Sequence, residues 1–399
     1  MLNSAGLKAR GLYIVWIRAM AAFLLTATVG LVAQADKNPG GDGFGLNVKS
    51  FGAVGDCRHD DTAALQSAVN QINGRTLLFP AGCYLISQPI KVPFAQGFRI
   101  LGEGRLGTKI QQQSDNTPIL VFTQDLTHDW EVGNLEFAWA KQQPSQNTNA
   151  VAILFAAPGG KGGLFNFTIT HVTFDNGFRG IYLAPGTAGP QPVWGFVLED
   201  IVATKLMSGS TINLAPNPIA GMPRCVLRDI YSTQPSAEPQ VRLNHCTSGT
   251  LDGIEDNSGV DTSLDLTSCD AMSVRGVHFE VHHMAHANRS VITAENSNID
   301  FEGITANLWS DVPGRNYLVS NVAGGGILSI RNVILRGTSS ANSTSGSGSS
   351  AGAQSYLLHL NGPVKLTDVQ GLTLIHAELN GSDDSSTAAK VGALGKQIQ

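Results

Sequence analysis

Nine times along the chain two apolar residues stand three apart, with Asp, Gly, Asn or His usually just before the second. The instances are Val132-Gly-Asn-Leu135, Ile169-Thr-His-Val172, Leu198-Glu-Asp-Ile201, Leu227-Arg-Asp-Ile230, Leu251-Asp-Gly-Ile254, Val274-Arg-Gly-Val277, Phe301-Glu-Gly-Ile304, Ile330-Arg-Asn-Val333 and Leu366-Thr-Asp-Val369. Their starts are separated by 37, 29, 29, 24, 23, 27, 29 and 36 residues. A fixed unit with elastic spacing marks a solenoid, in which the coil is constant and the loops vary. No other feature narrows the fold so far, because one coil cannot bury its apolar face except against its neighbours.

Period two supplies the geometry of a coil. Apolar and polar residues alternate in Phe167-Thr-Ile169 and again in Val172-Thr-Phe174. The Asp, Gly, Asn or His between the two strands marks a tight bend that needs left-handed backbone. A third strand precedes each repeat, as in Ile181-Tyr-Leu183, Ile212-Asn-Leu214, Val241-Arg-Leu243 and Leu264-Asp-Leu266. Three strands per coil, stacked about 4.8 Å apart, give an all-β parallel β-helix. Composition agrees. Only 14% of the 399 residues are charged, there are 45 glycines, and the 42% apolar content suffices for a long core. Charge is acidic, at a formal −5 with no basic block, so no nucleic-acid partner is expected.

Residues 51–62 read F-G-A-V-G-D-C-R-H-D-D-T, and a helical stretch over 62–72 follows, with Ala64, Leu65, Ala68, Val69 and Ile72 on one face. Asp60 or Asp61 sits where an N-cap belongs. Leu77-Leu-Phe-Pro-Ala-Gly-Cys-Tyr-Leu-Ile86 and Ile100-Leu-Gly-Glu-Gly104 come next. This order, over about residues 47–110, resembles the opening of pectate-lyase-superfamily proteins, a group that includes polysaccharide lyases, polygalacturonase relatives and phage tailspikes. The resemblance implies a right-handed parallel β-helix with an N-terminal capping α-helix, and a role for the Asp60-Asp61 pair in closing the junction between helix and first coil. Cys57 stands where the family usually has Gly. The polygalacturonase branch carries Asn-x-Asp, Asp-Asp, Gly-His-Gly and Arg-x-Lys in order. Here only Asn298-Ile-Asp300 matches, the one later Asp-Asp is Asp383-Asp384, and the other two motifs are absent.

Lys8, Arg10 and Arg18 flank or precede an apolar run from Ala19 to Val32, and Ala33-Gln-Ala35 follows. These are the parts of a secretory signal over 1–35, cleaved after Ala35. The competing reading is an uncleaved anchor, to which Leu12–Ile17 would add a second apolar patch. Cleavage would remove three cations and no acids, leaving 23 − 31 = −8. The expected location is secreted or periplasmic, with no membrane contact after cleavage. Residues 36–380 then form one β-helix domain, with a flexible Ser/Gly loop over 338–355 and a mobile tail over 381–399. Export permits disulfides. Cys57 and Cys83 bracket the capping helix and are expected to clamp it. Cys246 and Cys269 each lie five residues before a repeat start, so they should stack on neighbouring coils, as small buried thiols in preference to a bridge. Cys225 completes the set.

Outward residues on successive coils form columns. On the third strands one column reads Tyr182, Asn213, Arg242, Asp265, and a second reads Ala184, Pro216, Asn244, Thr267. After the bend, Tyr231, Glu255, His278 and Thr305 stack, beside Thr233, Asn257, Glu280 and Asn307. The densest histidine cluster, His278-Phe-Glu280-Val-His282-His283-Met-Ala-His286, runs from here toward the third-strand face. Alternation puts His278, Glu280 and His282 on one outward side. H-x-E-x-H on a strand is not the helical zinc arrangement, so no metal is assigned. The resemblance implies that the third-strand face is the sugar groove. The expected catalytic group is Arg242, Asp265, Glu280 and His282, with Tyr182, Asn213, Asn244, Glu255 and His278 contacting substrate.

A polysaccharide lyase needs a base and a cation or hydrogen bonds to quieten a uronate carboxylate; Arg242, Tyr182 and the histidines suit it. Ca2+ would enter only for a uronate lyase, and no cofactor is expected otherwise. A hydrolase needs two carboxyl groups about 5–5.5 Å or about 6.5–9.5 Å apart. Glu255, Asp265 and Glu280 are its best carboxylates, but they lie on two faces. The expectation is a polysaccharide-modifying protein, lyase or hydrolase. The rivals are a non-catalytic carbohydrate-binding adhesin of the same shape and a phage spike, against which a cleavable signal argues. Oligomeric state is open.

Overall fold

The computed structural model describes residues 45–186, 193–203, 207–215, 221–233, 237–257, 259–310, 312–337, 353–360 and 363–380. The expected signal over 1–35, the tail over 381–399 and residues 338–352 of the expected loop lie outside the described residues; Ala353–Leu360 is already strand. The described chain is a right-handed parallel β-helix. One sheet carries long bent strands in the order set by the coils, and a second sheet of shorter parallel strands closes each turn. Each coil therefore has a first leg before the bend, a second leg after it, and a third leg in the shorter sheet.

The bend is where the repeat motif places it. Asn134, His171, Asp200, Asp229, Gly253, Gly276, Gly303 and Asn332 all have left-handed backbone, with φ from 48° to 69°. Asn, Asp and Gly tolerate that region best, which explains the composition of the motif position. The ninth repeat is corrected. Asn332 is followed on the next coil by Gly371, at φ 64°, because Val333 pairs with Leu372. The true unit is Val369-Gln-Gly-Leu372; Leu366 pairs with Leu328 on the strand before the bend, and one extra residue, Thr367, separates it from Asp368, the partner of Ser329.

Ile169, Leu198, Leu227, Leu251, Val274 and Phe301 stack in register and are wholly buried. In the N-terminal coils the same interior holds stacked rings, with Trp130 and Phe167 centroids 4.2 Å apart and their planes nearly parallel. Outside, the residue before the bend forms a column of alternating sign: Glu199, Arg228, Asp252, Arg275, Glu302, Arg331. Neighbours meet at 3.8 Å (Arg228–Glu199), 4.0 Å (Arg275–Asp252) and 3.5 Å (Arg331–Glu302). Like charges in adjacent register would repel, so alternation favours this coil order.

At the N-terminal end, helix α1 (Thr62–Val69) buries Leu65, Ala68 and Val69 against the first coils. The acidic pair divides the junction. Asp61 is buried and accepts from the backbone N–H of Val54 (2.6 Å) and Gly55 (2.9 Å), and Asp60 accepts from Thr62 N–H (3.0 Å) and the Ser87 hydroxyl (2.5 Å). Cys57 is bridged to Cys83. Cys246 does stack beside Cys269, since Thr247 pairs with Asp270, but it is bridged to Cys225, and Cys269 is a buried free thiol. The bridge crosses a corner between leg one of one coil and the approach to the next, a diagonal that counting offsets along the repeat does not reveal.

Candidate functional site

The third legs stack as the sequence pattern requires: Tyr182 beside Asn213, Asn213 beside Arg242, Arg242 beside Asp265, and Asn244 beside Thr267. Arg242 Nε lies 2.9 Å from Asp265 Oδ2. Asp265 Oδ1 accepts from the hydroxyls of Thr267 (2.7 Å) and Thr293 (3.1 Å), so its carboxylate is fixed from three sides. Leu214 pairs with Leu243, which puts Ala215 next in line with Asn244; Pro216 lies outside the described residues.

Beside Asp265 opens a pocket of about 370 Å³. Three loops that lead from second legs to third legs supply most of its wall: Ala237, Glu238 and Pro239 from one, Val260, Asp261 and Thr262 from the next, His286 and Arg289 from the third. Asp265 and Thr293 supply the sheet side. Glu238 is clamped by Arg179 through Nε (2.8 Å) and Nη2 (2.5 Å) and receives the Ser210 hydroxyl (2.7 Å). Burial raises its carboxyl, but these donors outweigh burial and hold it below the usual range. The same guanidinium lies 4.2 Å over the ring of Tyr182, which links that residue to the pocket wall.

Asp261 and His286 form the most chemically organised pair. Asp261 has left-handed backbone (φ 54°). Its Oδ1 accepts from the N–H of Ala285 (2.9 Å) and His286 (3.1 Å), and its Oδ2 lies 2.6 Å from His286 Nδ1. A carboxylate only accepts, so Nδ1 carries the proton, and Nε2 is the nitrogen left for other partners. The His286 side chain is 70% exposed, whereas that of Asp261 is 18% exposed. An exposed imidazole oriented by a less exposed carboxylate is the ordinary construction of a general base.

The remaining sequence candidates lie elsewhere. Glu255 and His278 stack with Thr305 on the second-leg face, as expected, but none lines the pocket. Glu280 is exposed outside the pocket, and its carbonyl accepts from Asn307 Nδ2 (2.9 Å). His282 is a correction: it is wholly buried. An extra residue between Phe279 and His282, which pair with Ala306 and Leu308, makes a bulge and reverses the alternation. Its Nδ1 lies 4.0 Å from Asp256 Oδ2, also buried. Burial pushes Asp256 up to about 7 and His282 down to about 4. His283 turns the other way and stacks on Trp309 at 4.4 Å. Sequence reasoning missed Glu238, Asp261 and Arg289, because loop residues follow no period, and it missed Arg179, a strand residue whose partner Glu238 lies in such a loop. Among the described residues no group of three or more His, Cys, Asp or Glu side chains is placed to hold a metal ion.

Residues 45–204 match the family described as rhamnogalacturonase A/epimerase, pectate lyase-like. Over those residues the chain resembles pectate-lyase-like proteins, in keeping with its parallel β-helix fold. The matched segment ends before the pocket loops. Among solved structures, the gp42 tailspike of Acinetobacter phage vb_AbaP_AS12 is similar at a TM-score of 0.56 and 11% identity, over 86% of this chain and 62% of the tailspike. Tailspike protein 2 of the Escherichia coli O157:H7 bacteriophage CAB120 gives 0.51 and 14%, over 80% of this chain and 42% of that one. PfbA, a surface adhesin of Streptococcus pneumoniae, gives 0.52 and 12%, over 82% and 83%. The chain thus spans less than two thirds of either tailspike, and at these identities the likeness is one of fold. No curated protein matches it. Among the described residues no helix is long and apolar enough to cross a membrane.

Proposed function

We propose that this protein acts on an extracellular polysaccharide laid along the third-leg face, and that the reaction is a β-elimination with His286 as base. The observation that carries the reading is the Asp261–His286 pair on the rim of the pocket beside Asp265. His286 Nε2 takes the proton next to a uronate carboxylate, the C–H electrons form the new double bond, and the glycosidic C–O bond breaks. The departing oxygen then recovers a proton from the imidazolium. Arg289 on the pocket wall and Arg242 beside it offset the charge that develops on the substrate.

Hydrolysis is the less favoured chemistry because the carboxylates are committed. Glu238 is held ionised by Arg179, Asp265 accepts from three groups, and Asp261 is spent on His286. A hydrolase requires one carboxyl kept protonated as an acid. Purified protein incubated with a panel of polysaccharides is expected to release products that absorb in the ultraviolet. Reducing ends without that absorbance would turn the assignment to hydrolysis, and retention without either product would make the protein a binder.

A further inference from the structure

Two histidines grip one aspartate from opposite sides. His286 meets the Asp261 carboxylate at the surface. His282, turned into the interior by the bulge, meets the Asp261 carbonyl through Nε2 at 2.5 Å. A carbonyl only accepts, so His282 must carry its proton on Nε2, and its bare Nδ1 faces Asp256 without a hydrogen-bond partner. The loop closes tightly over this group. The Gly259 carbonyl accepts from His283 N–H (2.9 Å), and a Cβ on Gly259 would stand 2.1 Å from Asp256 Oδ2 and 2.7 Å from His282 Cε1. Asp261 N–H in turn bonds the His283 carbonyl (2.9 Å). The left-handed turn at Asp261 is thereby held at its N–H, its carbonyl and both carboxylate oxygens.

We propose that His282 is a positioning residue for His286: from inside the coil it fixes the Asp261 carbonyl, so that the Asp261 carboxylate is aimed at His286 Nδ1 before any substrate arrives. A side chain needed only to fill this space has no use for a donor at that point, and an apolar one would pack against Phe279 as well. Burial keeps His282 neutral, the state in which one nitrogen donates and the other does not. The inference rests on the reading of His286 as the base only where turnover is concerned; its structural half stands on the two histidine rings.

The test is nitrogen NMR of the histidine rings in the full-length protein, with His282→Gln and His282→Leu. The wild type is expected to show His282 as the Nε2–H form with a slowly exchanging proton, and His286 as the Nδ1–H form. An Nδ1–H form of His282 would overturn the proposal with no variant needed. His282→Leu should release His286 to a mixture of tautomers, whereas His282→Gln, whose amide can donate to the same carbonyl, should keep the Nδ1–H form. On any polysaccharide the wild type degrades, His282→Leu should lower kcat by about tenfold with KM nearly unchanged, and Gln should restore most of it. Unchanged His286 tautomers in a folded His282→Leu, or equal impairment of the two variants, would reduce His282 to packing. Absence of turnover on every substrate would defeat the proposed function while the ring spectra still decide this one.

Discussion

The first-leg face and the third-leg face use the same side chains for opposite ends. On the first legs six charges stand one above another and alternate in sign from Glu199 to Arg331, so each acid has a base on the next coil. On the third legs, among the described residues, only Arg242 and Asp265 stack in this way. Glu238, Asp261, His286 and Arg289 come from loops and surround a space. The difference lies in what a stacked strand can do. Register delivers a neighbour about 4.8 Å away, so on the first legs each charge is balanced along the axis by the coils beside it. Loops are free of that spacing and can bring unlike groups to one point.

The comparison breaks first on activity. His286→Ala should lower turnover by about 10²- to 10⁴-fold with the melting temperature nearly kept, whereas Arg275→Glu on the first-leg face should leave turnover unchanged. Equal activity of His286→Ala and wild type would remove the distinction between the faces.

A smaller effect is expected beneath the pocket. Burial lifts folded Asp256 to about 7, above the ordinary 3.8, so the unfolded chain releases this proton first as pH rises. The native state loses stability from this group between about pH 4 and 7. His282 acts in the other direction: its folded value of about 4 lies below 6.5, so its contribution is present above pH 6.5 and is lost as pH falls toward 4. The two trends offset each other in the wild type over that window. Asp256→Asn removes only the first and should gain on the wild type from pH 4 to above 7, by on the order of a few kcal/mol. Denaturant melts at pH 4 and pH 8 that give the same difference between variant and wild type would mean that Asp256 is not held protonated.

The smallest effect belongs to the ladder. Arg275→Glu places three acids in adjacent register with Asp252 and Glu302. Two like-charge pairs should cost about 0.5–2 kcal/mol in all, recovered in part at high salt. A loss that salt does not touch would point to packing of the arginine stem instead.

What the sequence disclosed and what it hid divide along the same line. The inward stack, the left-handed bend and the Tyr182–Asn213–Arg242–Asp265 column follow from period two or from the repeat, and the Cys57–Cys83 bridge from the way the two cysteines bracket the capping helix. The failures lie where the period breaks or where the motif fits twice. One extra residue before His282 turns that side chain from surface to core. The ninth bend falls at Gly371 and not at Asp368, because two overlapping stretches fit the motif and the coil register selects Val369-Gln-Gly-Leu372. The pocket carboxylates Glu238 and Asp261 sit in loops of unequal length, where neighbouring coils offer no template. His286 was visible as part of a cluster, but its partner lies 25 residues earlier and meets it only through the winding of the chain.

The Cys225–Cys246 bridge has a mechanical consequence. Hydrogen bonds between coils run along the axis, so a pull on the two ends would peel the coils away singly. The bridge closes a span of 21 residues, close to one full turn, into a covalent ring, and that ring carries both Glu238 and Arg242. Under tension roughly 70 Å of chain in this turn is withheld from extension. The stretch that carries the pocket's clamped acid and the arginine paired with Asp265 would be the last to be drawn out, long after coils on either side had given way.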